Sequence, residues 1–139
     1  MIRSRERVFV DTGAWIALAV VRDPLHEKAR EQWDLVQRSN ASVMTSIPVT
    51  IETFTYLDRK GSRDLAARWS VSLKDIPRFK IVGCSPPDLE KAWEYFDRKE
   101  FHKLSLTDAT SFVLMQKHGA RIAFTFDVHF GIAGFRFVS

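Results

Sequence analysis

The chain of 139 residues is 45% hydrophobic and 27% charged, which is ordinary for one soluble domain with its own core; no stretch reaches the ~20 apolar residues that a membrane-spanning helix needs. The formal net charge of +4 favours an anionic partner such as nucleic acid, although a mildly basic surface explains it equally well. The single cysteine, Cys84, excludes an internal disulfide and is typical of a protein from a reducing cytoplasm.

The N-terminal segment contains the one feature that competes with a cytoplasmic location. Arg3, Arg5 and Arg7 precede an apolar run, as in a secretory signal peptide. Asp11 interrupts that run near its start, and a strand followed by a helix explains the run better. We therefore expect a cytoplasmic protein without a membrane anchor.

In the first half of the chain, short β-favouring runs alternate with helical stretches. Thr12 is suited to cap the helix that follows the first strand, and Pro48 is suited to the first turn of a later helix. The predicted elements are a strand at 6–11, helices at 12–20 and 26–38, a strand at 42–46 and a helix from 48 to about 61.

The second half continues this alternation. Ser85 and Pro86 mark the start of one helix, and Gly119 ends another. Strands that alternate with helices predict a three-layer α/β/α domain with a mainly parallel central sheet, spanning residues 1–139 as a single domain. The predicted elements are a helix at 62–75, a strand at 78–83, helices at 85–101 and 104–119, and strands at 121–127 and 135–139.

Four acidic residues lack an obvious basic partner in the sequence; they are called the acidic quartet here and are Asp11, Glu52, Asp108 and Asp127. Asp11 and Asp127 each end an apolar strand, and the carboxyl ends of parallel strands share the edge of a sheet where ligands bind. Asp108 falls in the first turn of a helix, where the helix dipole favours an anion. Glu52 falls beside an apolar helix face.

Each member of the quartet also has a purely structural explanation. Asp11 is suited to cap the following helix, and Asp108 is suited to a capping box with Ser105. Asp127 is suited to a turn, and Glu52 to an exposed position on a helix. One acidic cluster explains all four at once. Since carboxylates repel each other unless a cation lies between them, the quartet predicts a site for a hard divalent ion, Mg²⁺ or Mn²⁺.

Four segments of the chain resemble the acidic motifs of the PIN domain, in the order in which that family has them. They are VFVDTGAWIAL, TSIPVTIETFTYL, LSLTDATSFVLM and AFTFDVHF, and together they extend over essentially the whole chain. The segment DPLHEKA also resembles the small bacterial and archaeal members called VapC-type toxins. Gly13 departs from the pattern, since many members of the family carry serine at that position.

The resemblance implies a metal-dependent endoribonuclease that is the toxin of a toxin–antitoxin pair. In such enzymes the acidic quartet is catalytic: Asp11, Asp108 and Asp127 would bind Mg²⁺ or Mn²⁺, and the glutamate would bind a second ion or orient the attacking water. Thr12 and Thr125 match positions that support the site. The implied partners are an RNA substrate, a small cognate antitoxin protein and, in a homodimer, a second copy of the chain.

The acidic centre repels RNA, so we expect basic residues on its rim to hold the phosphate backbone. An ordinary solvated charge is the alternative explanation for each of them. The candidates are Arg59, Lys60 and Arg63 after the third helix and Lys117, His118 and Arg121 before the last long strand.

Two other functions compete with a nuclease. A Mg²⁺-dependent phosphatase or phosphoacceptor, with Asp11 as the nucleophile, also places acids at strand ends but leaves Glu52 and Asp108 unexplained. A catalytically silent PIN-fold module that binds RNA or protein would not need the intact quartet. Zinc chemistry is not indicated, because the four histidines lack the spacing of zinc ligands.

The third and fourth predicted helices carry more apolar residues than one core-facing stripe requires. A small α/β domain that buries both helix faces explains this surplus almost as well. The other hypothesis is that this helix pair forms a homodimer contact and a groove for an amphipathic antitoxin segment. The residues concerned are Phe54, Tyr56, Leu57, Leu65, Trp69, Val71 and Leu73.

Overall fold

Strands and helices alternate along residues 1–138, the part of the chain that the computed structural model describes. Within those residues, every helix is too short or too polar to span a bilayer. The first six elements are β1 (Arg7–Val10), α1 (Thr12–Ala19), α2 (His26–Arg38), β2 (Ser42–Ser46), α3 (Ile47–Tyr56) and α4 (Arg63–Ser72). The next six are β3 (Phe79–Val82), α5 (Pro86–Trp93), α6 (Leu106–His118), β4 (Ile122–Phe124), α7 (His129–Ile132) and β5 (Arg136–Phe137).

The strands form one parallel sheet in the order β3-β2-β1-β4-β5. β1 lies at its centre, where Val8 is paired with Val43 on one side and with Ile122 on the other. Val8, Phe9 and Val10 are completely buried, as expected for a strand that helices cover on both faces. The predicted α/β/α architecture with a mainly parallel sheet is confirmed.

The chain changes direction across the sheet after β3. From β1 it moves to β2 and β3 on one side, and it then returns to β4 and β5 on the other. In open parallel sheets, such a reversal leaves a crevice at the carboxyl ends of the two central strands. Asp11 directly follows β1 and Thr125 directly follows β4, so both residues lie at this crevice.

Part of the apolar surplus on α3 and α4 belongs to the core. Leu57 is completely buried, and Trp69 and Leu73 are only 7% and 8% exposed. Tyr56 and Val71, by contrast, are 43% and 60% exposed. Trp69 therefore belongs to the core, whereas Tyr56 and Val71 remain exposed on the helix pair. That this pair forms a homodimer contact and an antitoxin groove stays a prediction.

Aromatic packing shortens the helix that was predicted at 85–101. The α-helix ends at Trp93, and 3₁₀ turns follow at Glu94–Asp97 and Lys99–Phe101. Tyr95 and Phe101 both pack on Phe112, with ring centroids 5.3 Å and 5.7 Å apart. A continuous helix would not direct both rings onto α6, so the backbone becomes extended between them.

Other predicted boundaries also differ from the structure. The helix from residue 48 continues past Tyr56 as a π-helical turn, Leu57–Gly61, and the strand predicted at 121–127 ends at Phe124. The strand predicted at 135–139 is reduced to β5, and its last residue lies outside the described residues. The short helix α7 was not predicted, because four residues carry too little periodicity to be recognised.

Candidate active site

Asp11 joins β1 to α1 and carries a carboxylate that the helix does not use. Its backbone N–H donates to the Phe124 carbonyl oxygen at 3.0 Å, which extends the contact between the two central strands. Asp11 occupies the N-cap position of α1, but its side chain makes no capping hydrogen bond; Thr12, which was predicted as the cap, is the first helical residue. The structural explanation of Asp11 as a cap is therefore wrong, and its carboxylate is free for another role.

One oxygen of that carboxylate is held and the other is not. Thr125 Oγ1 donates to Asp11 Oδ2 at 2.9 Å. Asp11 Oδ1 is buried and has no hydrogen-bond partner within residues 1–138, and the same is true of Thr12 Oγ1. Buried polar atoms are almost always paired, so these two atoms indicate a ligand at this position.

Asp108 lies in the first turn of α6 and is 7% exposed. Ser105 Oγ accepts a hydrogen bond from the Asp108 backbone N–H at 3.0 Å, which caps the helix. The Asp108 side chain accepts no hydrogen bond from the Ser105 backbone N–H, whereas Asp88 Oδ2 accepts one from the Ser85 backbone N–H at the start of α5. The capping-box explanation of Asp108 is therefore wrong, because its carboxylate faces the crevice instead.

Asp127 reaches the site from the loop after β4 rather than from the end of the strand. Thr125 Oγ1 accepts a hydrogen bond from the Asp127 backbone N–H at 3.0 Å. Asp127 Oδ1 in turn accepts from the His129 backbone N–H at 2.9 Å, and His129 Nδ1 lies 2.8 Å from the same oxygen. His129 Nε2 lies 2.8 Å from the His102 carbonyl oxygen, which orients the ring.

His129 is a site residue that sequence reasoning missed. The four histidines were compared with zinc-ligand spacings, and none of those spacings applies here. The sequence signal that could have identified His129 was its position two residues after Asp127. In a tight turn, a residue at this position can contact the aspartate carboxylate.

The acidic quartet converges in one crevice of about 800 Å³. Glu52, on α3, is its exposed member, and α3 is oriented by Ser46, whose Oγ accepts from the Val49 backbone N–H at 3.2 Å. Lys103 is the one basic residue among the described residues that line the crevice. The sequence prediction that these four acids lie together agrees with this placement.

Crowding changes the protonation of these carboxylates. Burial, opposed by the hydrogen bond from Thr125 and assisted by the neighbouring carboxylates of Asp127 and Glu52, raises the pKa of Asp11 to about 6. Burial also raises the pKa of Asp108 to about 9, together with its hydrogen bond to Asp127. The pKa of Asp127 is lowered, because the hydrogen bonds from Asp108 and the His129 backbone outweigh its burial. Without a cation, Asp108 and Asp127 therefore share a proton at neutral pH.

The donor atoms suit a hard divalent cation. One ligand atom from each of Asp108, Asp127 and His129 lies within 4.8 Å of the others. The unpaired Asp11 Oδ1 adds a further buried oxygen to the same crevice. Carboxylate oxygens are the ligands that Mg²⁺ and Mn²⁺ prefer, so the residues present fit such an ion.

The predicted RNA-binding residues fall into two groups. Arg59 and Lys60 are exposed in the π-helical turn after α3, and Arg63 is paired with Asp58. None of the six predicted residues lines the crevice. The other three lie at the opposite end of α6 from Asp108 or just before β4, on the amino edge of the sheet. This second group consists of Lys117, which bonds Asp88 at 3.1 Å, His118 and Arg121.

Comparison with known proteins identifies the family. The family model described as PIN domain matches residues 8–135, which include the whole acidic quartet. The chain belongs to the PIN domain family. The resemblance that the four acidic motifs indicated is thereby confirmed.

This PIN domain is similar to a protein of Mycobacterium tuberculosis, strains CDC 1551 / Oshkosh and ATCC 25618 / H37Rv, that is named 23S rRNA-specific endonuclease VapC20. The two are 38% identical over 130 residues, which are 92% of this chain and 95% of the relative. The crystal structure of M. tuberculosis VapC20, described as a sarcin–ricin loop cleaving toxin, superposes with a TM-score of 0.81 at 33% identity, covering 92% of this chain and 95% of that one.

A more distant structure shares the fold alone. The crystal structure of VapBC2 from Rickettsia felis, bound to a DNA fragment from the promoter of VapBC2, superposes with a TM-score of 0.68 at 12% identity. The match covers 94% of this chain and 96% of that one. The PIN fold is therefore retained over essentially the whole chain at low sequence identity.

Proposed function

We propose that this PIN domain is a metal-dependent endoribonuclease that acts in the cytoplasm as the toxin of a toxin–antitoxin pair, with residues 1–139 forming a single nuclease domain. The observation that carries the proposal is the unpaired, buried Asp11 Oδ1 in a crevice that also contains the rest of the acidic quartet. A relative that is 38% identical over 130 residues is named a 23S rRNA-specific endonuclease. RNA, and ribosomal RNA in the first place, is the substrate class that we propose.

In the proposed mechanism, Asp11, Asp108 and Asp127 would hold Mg²⁺ or Mn²⁺. When bound, such a cation supplies a water of lowered pKa and a positive charge beside the scissile phosphate. Thr125 fixes Asp11 through Oδ2 and leaves Oδ1 unpaired, so that this oxygen would be available to hold the ion. His129 fixes Asp127 through Oδ1.

The remaining chemistry concerns protons. The proton that Asp108 and Asp127 share must leave before both carboxylates can bind a cation, so metal binding releases protons. Glu52 lies exposed at the same crevice. Its carboxylate orients the attacking water and accepts a proton from it.

A homodimer and an antitoxin complex are proposed as the assemblies of this chain. An apolar groove of about 760 Å³ lies between α3, α5 and the start of α6. Ile47, Ile51 and Leu106 line it and are 46%, 62% and 42% exposed. An exposed apolar patch of this kind marks a contact surface in soluble proteins. We propose this groove as the homodimer contact, in place of the α3–α4 helix pair that was predicted from the sequence.

The nuclease proposal is tested with purified full-length protein and deproteinised ribosomal RNA, in Mg²⁺, in Mn²⁺ and in EDTA. Cleaved 5′ ends are mapped by sequencing. We expect discrete cleavage with either cation and none in EDTA. Asp11→Asn should abolish cleavage, because it removes the negative charge of a carboxylate that would hold the cation.

Asp88→Asn is the matched control. Asp88 is 5% exposed, but its carboxylate is engaged by the Ser85 backbone and by Lys117, outside the crevice. This variant should therefore cleave at the wild-type rate. Full activity of Asp11→Asn would overturn the metal site, and RNA binding by the wild type without cleavage under both cations would favour the silent binding module instead.

A further inference from the structure

A second pocket, here called the arginine pocket, lies on the edge of the sheet opposite the acidic crevice. It has a volume of about 570 Å³. Its charged lining contains a single carboxylate, whereas the acidic crevice contains a single basic side chain. The residues that line it are Met1, Arg3, Arg5, Glu6, Arg7, Gly119, Arg121 and Arg136.

The parallel sheet brings these arginines together. Arg7 begins β1, Arg136 begins β5 and Arg121 directly precedes β4, and parallel strands begin at the same edge. The N-terminal segment adds Arg3 and Arg5, because a turn folds it back: the Glu6 backbone N–H donates to the Arg3 carbonyl oxygen at 3.0 Å. The pocket is thus built on strand ends that the core holds rigidly.

The charge of the pocket is not compensated locally. Glu6 is already occupied, since it accepts from the Arg3 backbone N–H at 3.0 Å and pairs with Arg136. Arg7 donates to the His118 carbonyl oxygen at the end of α6. Within residues 1–138, no carboxylate lies within 4.0 Å of the side chains of Arg3, Arg5 or Arg121.

Elsewhere in the protein, charges are largely balanced. The pocket takes five of the 21 Lys and Arg residues and one of the 17 acidic residues, so the rest of the chain has equal numbers of each sign. The net charge of +4 is therefore concentrated in this one place. Arginines outside the pocket that pair with an acid are Arg30, Arg38, Arg63, Arg68 and Arg98.

We infer that the arginine pocket binds the phosphate backbone of the RNA substrate at a point remote from the bond that is cleaved. The inference rests on the proposed function, because it needs an RNA substrate. The acidic crevice attracts RNA poorly, so binding energy has to come from another surface, and unpaired guanidinium groups bind phosphate bidentately. α6, with 13 residues, spans about 20 Å between the two sites, so only an RNA of at least that extent contacts both.

An acidic protein segment is the other ligand that such charges could attract. Protein interfaces have an apolar centre surrounded by a polar rim. Apart from Met1, the arginine pocket offers no large apolar side chain. Its lining suits a chain of phosphates better than a folded or helical peptide.

The test measures binding of ribosomal RNA by full-length protein that carries Asp11→Asn, so that no cleavage occurs. Arg3→Ala, Arg5→Ala and Arg121→Ala are combined in this background. We expect the dissociation constant at low salt to rise by about tenfold or more, and the slope of log K against log salt to fall by about 2, since each lost phosphate contact contributes about 0.7. A single Arg5→Ala variant should show the same change at about a third of the size.

The matched control combines Arg30→Ala, Arg38→Ala and Arg68→Ala, which change the net charge equally but lie on α2 and α4. Equal effects of the two triple variants would overturn the inference, as would an unchanged salt slope in the pocket variant. Loss of binding to polyglutamate alone, with RNA binding intact, would overturn it in favour of an acidic protein.

Cleavage separates this inference from the proposed function. With Asp11 intact, the pocket variant should cleave long ribosomal RNA with a raised KM and an unchanged kcat. A short oligonucleotide around the mapped cleavage site should be cleaved equally by variant and wild type. If the wild type cleaves no RNA, the proposed function fails. If the pocket variant and the wild type cleave both substrates equally, only the role of the arginine pocket is refuted.

Discussion

Thr125 Oγ1 donates a hydrogen bond of 2.9 Å to Asp11 Oδ2, and this bond connects the ends of the two central strands. The same hydroxyl oxygen accepts from the Asp127 backbone N–H at 3.0 Å. One buried side chain therefore fixes two members of the acidic quartet relative to each other. The relative position of Asp11 and Asp127 therefore depends on one atom, the hydroxyl oxygen of Thr125.

We expect Thr125→Val to lower RNA cleavage strongly and to destabilise the protein by about 1–3 kcal/mol. Valine keeps the shape but removes the donor, which leaves buried polar atoms unpaired. Cleavage rates and urea denaturation measure the two effects, and Thr125→Ser should restore both in large part. The control is Thr53→Val; within residues 1–138, the buried Thr53 hydroxyl donates only to the Val49 carbonyl oxygen. Equal loss of cleavage in the control would contradict this role of Thr125.

The metal-free protein should become less stable as pH rises. The folded-state pKa of Asp11 is about 6 and its ordinary value is 3.8, so the folded state retains a proton that the unfolded chain has released. The free energy of unfolding therefore falls between about pH 4 and pH 6, by roughly 3 kcal/mol from Asp11. Asp108, with a pKa of about 9, extends the fall to higher pH.

Thermal melts in EDTA across this pH range measure the effect. Asp11→Asn should make the fall between about pH 4 and pH 6 less steep, because the contribution of Asp11 is gone while that of Asp108 remains. Excess Mg²⁺ or Mn²⁺ should oppose the loss of stability at high pH, since a bound cation stabilises the charged carboxylates. A metal-free melting temperature that increases with pH over this range would contradict the assignment of raised pKa values.

Asp108→Asn should abolish cleavage with no loss of stability in EDTA. The substitution removes a carboxylate that shares a proton with Asp127, while the helix cap from Ser105 Oγ to the Asp108 backbone N–H is kept. Ser105→Ala provides the comparison, because it removes the cap at a cost of about 1 kcal/mol and leaves the carboxylate in place. Cleavage by Asp108→Asn at the rate of Ser105→Ala would return Asp108 to a structural role.

His129→Ala should weaken cation binding by about 10–100-fold, as is usual when the partner of a metal ligand is lost. The reason is that Asp127 Oδ1 loses the imidazole that lies 2.8 Å away. Calorimetric titration with Mn²⁺ measures the affinity. His118→Ala, at the far end of α6, should bind as tightly as the wild type; equal affinities for all three proteins would show that Asp127 needs no support from His129.

Ile51→Glu should dissociate the proposed homodimer and leave the fold intact. Ile51 is 62% exposed in the apolar groove, so a charge there is tolerated by the monomer but not by a covered interface. Sedimentation velocity measures the mass. Val71→Glu on α4, where valine is 60% exposed outside the groove, is the control. A wild type that sediments as a monomer would contradict the homodimer itself.

The sequence alone determined the identity of the acidic quartet and the alternation of strands and helices. Both are local properties. A carboxylate such as Asp11 within an apolar run is costly to bury in any fold, and β-favouring runs are recognised from a few neighbouring residues. The order of the four acidic motifs is likewise a property of the sequence itself, which is why the family resemblance could be identified from the residues.

Only the tertiary structure decided which of these side chains contact one another. Thr125 meets Asp11 because β4 pairs with β1, although 114 positions separate the two residues. Arg7, Arg121 and Arg136 share a pocket because parallel strands begin at one edge. Trp69 lies in the core because α4 packs it on Trp15. Strand order and helix packing depend on interactions between segments that are far apart in the sequence. No local sequence pattern could therefore reveal these contacts.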